Sequence, residues 1–312
     1  MKHLISTVSD GSEIPERERF HILADAGFDA VDYSFREYAG YVYSKTGKGD
    51  SVFNKPDAEV VDFFRRQAGL LRESGLKVAQ AHAPFPSNFD EGTKTVVGDF
   101  NLRLMRLSVT AAGEMGCPYL IVHPAFNGGV KYTEDPDALS EVREINRRMY
   151  LALVPEAKAA GVRICLENMW QRETTTGRII PGVCSTAGEF AGWIDDLNAE
   201  AGEDIFFACL DTGHALLVGE DPAKMIEALG NRLAAFHMHD VIADNDLHTV
   251  PFEGMCDWPA LAAAIKKSGY VGILNFETTF FIGRRPPELY APAVEFLAKT
   301  AEWFRGLIDG EH

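Results

Sequence analysis

The chain has no CxxC pair, and its five cysteines, Cys117, Cys165, Cys184, Cys209 and Cys256, are odd in number and scattered. That excludes a thiolate zinc knuckle and argues against a disulfide framework. Three of them lie in or beside apolar, strand-like runs and read as buried reduced thiols. No apolar run reaches the roughly 18 to 20 residues of a membrane helix. The opening MKHLISTVSDGSEIPERERF has neither the apolar stretch nor the small-residue cleavage site of a signal peptide, so a soluble, cytoplasmic protein is expected. Positive charge is scarce: 30 Lys and Arg stand against 46 Asp and Glu, a net −16 that disfavours nucleic acid as a partner. The turn after the first strand-like run reads SDGSEIPERE without GxGxxG, which counts against a doubly wound dinucleotide-binding sheet. Nor does any Pro/Gly/Ser linker or charge block divide the 312 residues, so residues 1–312 are expected to form a single domain.

What the chain does have is repetition. A polar, helix-periodic stretch, a glycine and a short apolar run recur at Gly27, Gly75, Gly116, Gly161, Gly202, Gly230 and Gly269. Glycine adopts the left-handed helix cap at no steric cost, and a buried strand follows at once. With HLISTV in front, the seven junctions give eight strands alternating with helices, the signature of a parallel sheet. Eight units in about 250 to 300 residues are the size of an α/β (β/α)8 TIM barrel. Two insertions stand out: residues 36–56, with Tyr38, Tyr41 and Tyr43, and residues 170–185. Following the second and fifth strands, both are expected over the barrel mouth.

Barrel chemistry is built at the C-terminal strand ends, and these end in metal-ligand residue types. His82 closes the third strand, His123 the fourth, Glu167 the fifth, Asp211 with His214 the sixth, His237 with His239 and Asp240 the seventh, and Glu277 the eighth. Asp246 and His248 follow in the loop after the seventh strand. Six of the nine histidines fall in this set, leaving His3, His21 and His312 elsewhere. Carboxylates converging on a narrow mouth repel one another unless a cation lies among them. Carboxylate and imidazole donors without cysteine suit one divalent ion, manganese first, with zinc, cobalt, magnesium or iron as alternatives.

The four best ligands are Glu167, Asp211, His237 and Glu277, from successive strands. His82, His123, His214, Asp246 and His248 are further candidates for metal or substrate. His239, two residues after His237 and on the same strand face, reads as an orienting group behind the ligands, and Asp240 as a loop-fixing acceptor. Phe85, Trp170, Phe252, Trp258 and Phe280 follow the strand ends and could wall a small polar substrate.

The ordered set HAPF, IVHP, LEN, LDTGH, HMHD with DLHTVPFEGMCDW, and NFE resembles the xylose-isomerase-like TIM barrel superfamily over nearly the whole chain. That superfamily holds sugar isomerases and epimerases together with endonuclease IV. The resemblance implies a divalent metal on Glu167, Asp211, His237 and Glu277, as in ketose 3-epimerases and inosose dehydratase. The trinuclear zinc pattern of endonuclease IV would map onto His82, His123, Glu167, Asp211, His214, His237, Asp246, His248 and Glu277.

Three departures separate the branches. Ketose 3-epimerases carry an arginine soon after the seventh-strand histidine, where this chain reads DVIADNDLH. Xylose isomerase proper has a lysine near its fifth-strand glutamate, where this chain reads ENMWQRE. Endonuclease IV has basic recognition loops, and here the corresponding loop is acidic. The expected activity is therefore a metal-dependent isomerase or epimerase that forms an enediolate on a ketose, aldose or related polyol, with Glu167 and Glu277 exchanging the proton. An inosose-dehydratase-like lyase shares the first step, and an endonuclease IV-like phosphodiesterase is the alternative of another class. Homo-oligomerisation is left open.

Overall fold

Six of the seven glycine junctions end their helices in the left-handed conformation, with φ from 67° at Gly161 to 108° at Gly27. At Gly230, φ is 55° and ψ −126°, and a 3-10 turn, Gly230–Arg232, separates the helix from its strand. The structure is a computed structural model that describes residues 2–9, 14–40, 47–85, 96–125, 136–173 and 175–311.

Eight parallel strands follow these junctions: β1 (Ile5–Val8), β2 (Ala30–Ser34), β3 (Lys77–His82), β4 (Tyr119–Val122), β5 (Arg163–Glu167), β8 (Phe206–Asp211), β9 (Leu233–His237) and β12 (Leu274–Phe276). They run in the order β12-β1-β2-β3-β4-β5-β8-β9. A parallel bridge between Met238 and Phe276 brings the two ends together, so the ring closes as the TIM barrel expected from the sequence. Two antiparallel hairpins stand at the strands' C-terminal end: β6 (Trp170–Arg172) with β7 (Ile179–Pro181), and β10 (Asp240–Ile242) with β11 (Asn245–Thr249).

The main core lies between sheet and helices. It takes Phe20 and Leu23 from helix Glu16–Ala26, Phe64 and Leu71 from Asp57–Ser74, Phe190 and Ile194 from Ala187–Ala201, and Leu297 and Phe304 from Pro287–Asp309. Each such side chain contributes about 1.5 to 3 kcal/mol by leaving water. A separate cluster, Ile121, Cys165, Cys209 and Ala235, fills the barrel interior. These residues stand two positions before His123, Glu167, Asp211 and His237, and strand alternation therefore lifts the four polar side chains to the same face one layer higher. All five cysteines are free thiols, four of them buried.

The insertions differ from each other. Residues 170–185 form the β6/β7 hairpin over the mouth, as expected, with Thr174 outside the described residues. In the segment 36–56, Tyr41 and Tyr43 lie outside the described residues. Tyr38 does not reach the mouth: it stacks on Tyr33 and meets Phe64 edge-on. No helix among the described residues is long and apolar enough to cross a membrane.

Candidate metal centre and active site

Parallel register sets Glu167 beside Cys209, and Asp211 beside His237, so the strand ends converge at one level. His237 Nδ1 lies 3.3 Å from Glu167 Oε1 and 3.4 Å from Glu277 Oε2. One donor atom from each of Glu167, Asp211, His237 and Glu277 falls within 4.8 Å of all the others. Glu167 Oε2, His237 Nδ1 and Glu277 Oε2 are buried and have no hydrogen-bond partner. Such orphans cost about 1 to 3 kcal/mol each, more when charged. A divalent cation, which takes carboxylate oxygen and imidazole nitrogen together, fits this donor set.

Two further groups flank it. His82 Nε2 and His123 Nε2 lie 3.5 Å and 3.1 Å from Glu167 Oε2. On the other side, His214, His239, Asp246 and His248 gather, with Asp246 Oδ2 3.4 Å from both His214 Nε2 and His248 Nε2. All nine residues of the trinuclear mapping are thus in one contiguous site.

Hydrogen bonds set the imidazole tautomers. His82 Nδ1 faces the Ala83 carbonyl at 2.8 Å, His214 Nδ1 the Asn168 carbonyl at 2.9 Å, and His248 Nδ1 the Glu277 carbonyl at 3.1 Å. Carbonyls only accept, so these nitrogens carry a hydrogen, and each Nε2 is the atom turned to the site, able to take a cation once it gives up its own proton. His237 is reversed: its Nε2 donates to Asp32 Oδ2 at 3.0 Å and Nδ1 turns inward. His239 Nε2 sits 3.0 Å from the Asp211 carboxylate. Asp240 accepts from Val241 N, Cys256 N and Trp258 Nε1, which ties the loop down as expected.

The spacing in LDTGH has a local cause. Asp211 caps the short helix Thr212–Leu217 by accepting from His214 N at 2.6 Å, and this carries the His214 imidazole into the site. Gly213 is needed because a Cβ there would stand 2.0 Å from His239 Cε1. His248 holds a left-handed backbone, φ 42°, and stacks on His239 with ring centroids 4.0 Å apart.

Burial opposes every charge here and is the largest influence on each group, but mutual attraction outweighs it at most positions. The Glu167 and Glu277 carboxyls are held well below the ordinary range by His237 with His123 or His248, and Asp246 by His214 and His248. His214 is raised by Asp211 and Asp246, and His248 by Glu277 and Asp246. His123 is pushed down, because burial outweighs its attraction to Glu167.

A cavity of about 510 Å³ opens above these groups, lined by Phe85, Trp170 and Phe280 among others. Trp170 Nε1 donates to Asp246 Oδ2 at 3.2 Å, and Phe85 stacks on His123 at 4.5 Å. Two of the expected wall residues are elsewhere. Phe252, with φ 75°, turns outward against Trp303 and is 48% exposed. Trp258 is fully buried, its indole spent on Asp240.

Three residues that shape the site were not singled out in the sequence. Asp32 fixes His237 and also accepts from Gln80 Nε2 and Asn275 Nδ2. Asn168 clips β5 to β8, donating to the Asp211 carbonyl at 2.9 Å and accepting from Asp211 N at 2.8 Å. Arg36 lines the cavity. The sequence trace was a charged residue inside a buried strand, in DAVDYS, and an amide just after a strand end, in LEN.

The chain belongs to the xylose isomerase-like TIM barrel family, whose model matches residues 20–300. An uncharacterized protein, y4fM, of Sinorhizobium fredii is 40% identical over 84% of this chain and 80% of its own length. Inosose dehydratase of Lacticaseibacillus casei is 31% identical over 31% of this chain and 39% of its own. The crystal structure of D-psicose 3-epimerase in the presence of D-fructose aligns with a TM-score of 0.67 at 14% identity, covering 99% of this chain and 100% of that one, which shows a shared fold.

Proposed function

We propose that the protein is a divalent-metal-dependent sugar isomerase or epimerase acting on a ketose, aldose or related polyol. The observation that carries this reading is the group Glu167, Asp211, His237 and Glu277, with its orphaned atoms, at the floor of a monosaccharide-sized cavity. A cation held by these four residues would supply a Lewis acid to polarise a substrate carbonyl and hydroxyl. Glu167 and Glu277, at the ends of β5 and β12 with His237 between them, take the proton from carbon and return it, one from each side. Phe85, Trp170 and Phe280 exclude water and hold the carbon skeleton. The family membership and the sugar 3-epimerase neighbours support the reading. An inosose-dehydratase-like lyase would begin with the same proton abstraction and then expel hydroxide.

The experiment is NMR of the metal-loaded protein in deuterium oxide with a panel of ketoses, aldoses and inososes. Deuterium at one carbon of an intact skeleton supports an isomerase or epimerase, and loss of water supports the lyase. No exchange with any member overturns both.

The flanking groups favour a second reading, phosphodiester hydrolysis at abasic DNA sites with about three metals per chain. It requires three metal equivalents and cleavage of an abasic duplex. One equivalent by elemental analysis removes it.

A further inference from the structure

Three wall aromatics of the cavity each carry an arginine. The Arg36 guanidinium lies 4.1 Å from the Phe85 ring centroid, that of Arg284 3.7 Å from Phe280, and that of Arg172 5.4 Å from Trp170. In a chain of net charge −16, cations around an acidic site need a reason.

The three are not equivalent. Arg172 is spent on loop carbonyls, donating to Gly177 O at 3.0 Å and Asp244 O at 2.9 Å. Arg284 is exposed and outside the cavity lining. Arg36 lines the cavity, and among the described residues no carboxylate pairs with it. The neighbouring acids are committed elsewhere. The short helix Phe35–Ala39 sends Glu37 to Arg19, at 2.9 and 3.4 Å, while Asp32 takes Gln80, Asn275 and His237. Phe85 anchors the guanidinium and itself stacks on His123, so Arg36 stands one ring away from the metal-ligand groups.

A half-buried guanidinium whose donors meet no hydrogen-bond partner among the described residues is a receptor for a planar or tetrahedral oxyanion, which it binds through paired, charge-assisted hydrogen bonds. We propose that Arg36 recognises an anionic substituent, a phosphate ester or a carboxylate, on the end of the sugar or polyol remote from the carbons that Glu167 and Glu277 act upon. This rests on the isomerase or epimerase reading of the same site.

The test uses the metal-loaded full chain with a ketohexose, its 6-phosphate and the corresponding 6-carboxylate. Deuterium incorporation gives kcat/KM, and calorimetry gives affinity. One of the two anionic sugars should be preferred over the neutral one by at least about tenfold, and which one identifies the substituent. Arg36→Gln should reduce that preference by about ten- to a hundredfold, mainly through KM. Arg36→Lys should recover more of it for a phosphate than for a carboxylate, since a point charge replaces the bidentate fork. A melting curve checks that the variants fold. The proposal is overturned if the neutral ketohexose is preferred, or if the anionic preference survives in Arg36→Gln. If none of the three incorporates deuterium, the isomerase reading fails separately, and calorimetry on the same compounds still decides whether Arg36 selects the anion.

Discussion

Asp32 Oδ2 holds His237 Nε2 at 3.0 Å, and this bond from β2 across the barrel to β9 turns His237 Nδ1 toward Glu167 and Glu277. The same oxygen takes the amides of Gln80 and Asn275, so one buried carboxylate braces three strands against the site floor.

Asp32→Asn tests that brace. Asn would keep one oxygen for the three donors but lose the charge that strengthens those bonds, and its new NH2 would take the place of Oδ1, which has no hydrogen-bond partner among the described residues, so His237 would be held less firmly. Metal affinity should fall about ten- to a hundredfold, the usual effect of losing the partner behind a ligand. Competition titration against a chelating dye measures it.

Gly213→Ala tests the packing of the orienting histidine. With Cβ 2.0 Å from His239 Cε1, either the short helix or the imidazole must move. A loss of about 1 to 3 kcal/mol in urea unfolding is expected, together with lowered metal content.

A pH effect is expected at the seam between the chain ends. Burial would raise the Asp309 carboxyl, but hydrogen bonds from His3 lower it below 3.8. A carboxyl depressed in the folded state stabilises above its unfolded value, and that contribution is lost as pH falls through the folded one. Asp309→Asn should therefore melt below the parent protein near neutral pH, with the gap closing as the pH falls below 3.8.

The wall assignments separate by mutation. Trp170→Phe removes the donor to Asp246 and should lower kcat/KM by about tenfold or more. Phe252→Ser, on the outer surface, should leave turnover unchanged in the same assay.

The barrel was legible because its signal is local: glycine cap and apolar strand adjoin in sequence and repeat. The candidate ligand residues were legible as a cluster because strand ends carry them. Asp32 was not, since its partner His237 lies 205 residues away and only barrel closure brings them together. Arg36 sat in a segment notable for its tyrosines, and nothing local showed that Glu37 would turn to Arg19. Phe252 was placed in the wall from its position in the loop alone, and the structure packs it against Trp258 and Trp303 instead.

The most direct measurement of the central claim is solvent-deuterium exchange by Glu277→Gln at saturating metal, with metal content determined on the same sample. Gln keeps an oxygen donor and loses the base, so metal should be largely retained while exchange falls about a hundred- to ten-thousandfold, and added metal should not restore it. His237→Ala is the control: it opens a coordination position, loses metal, and recovers in part with excess. Parent-level exchange by Glu277→Gln would contradict the account and make the strand-end carboxylate a structural group.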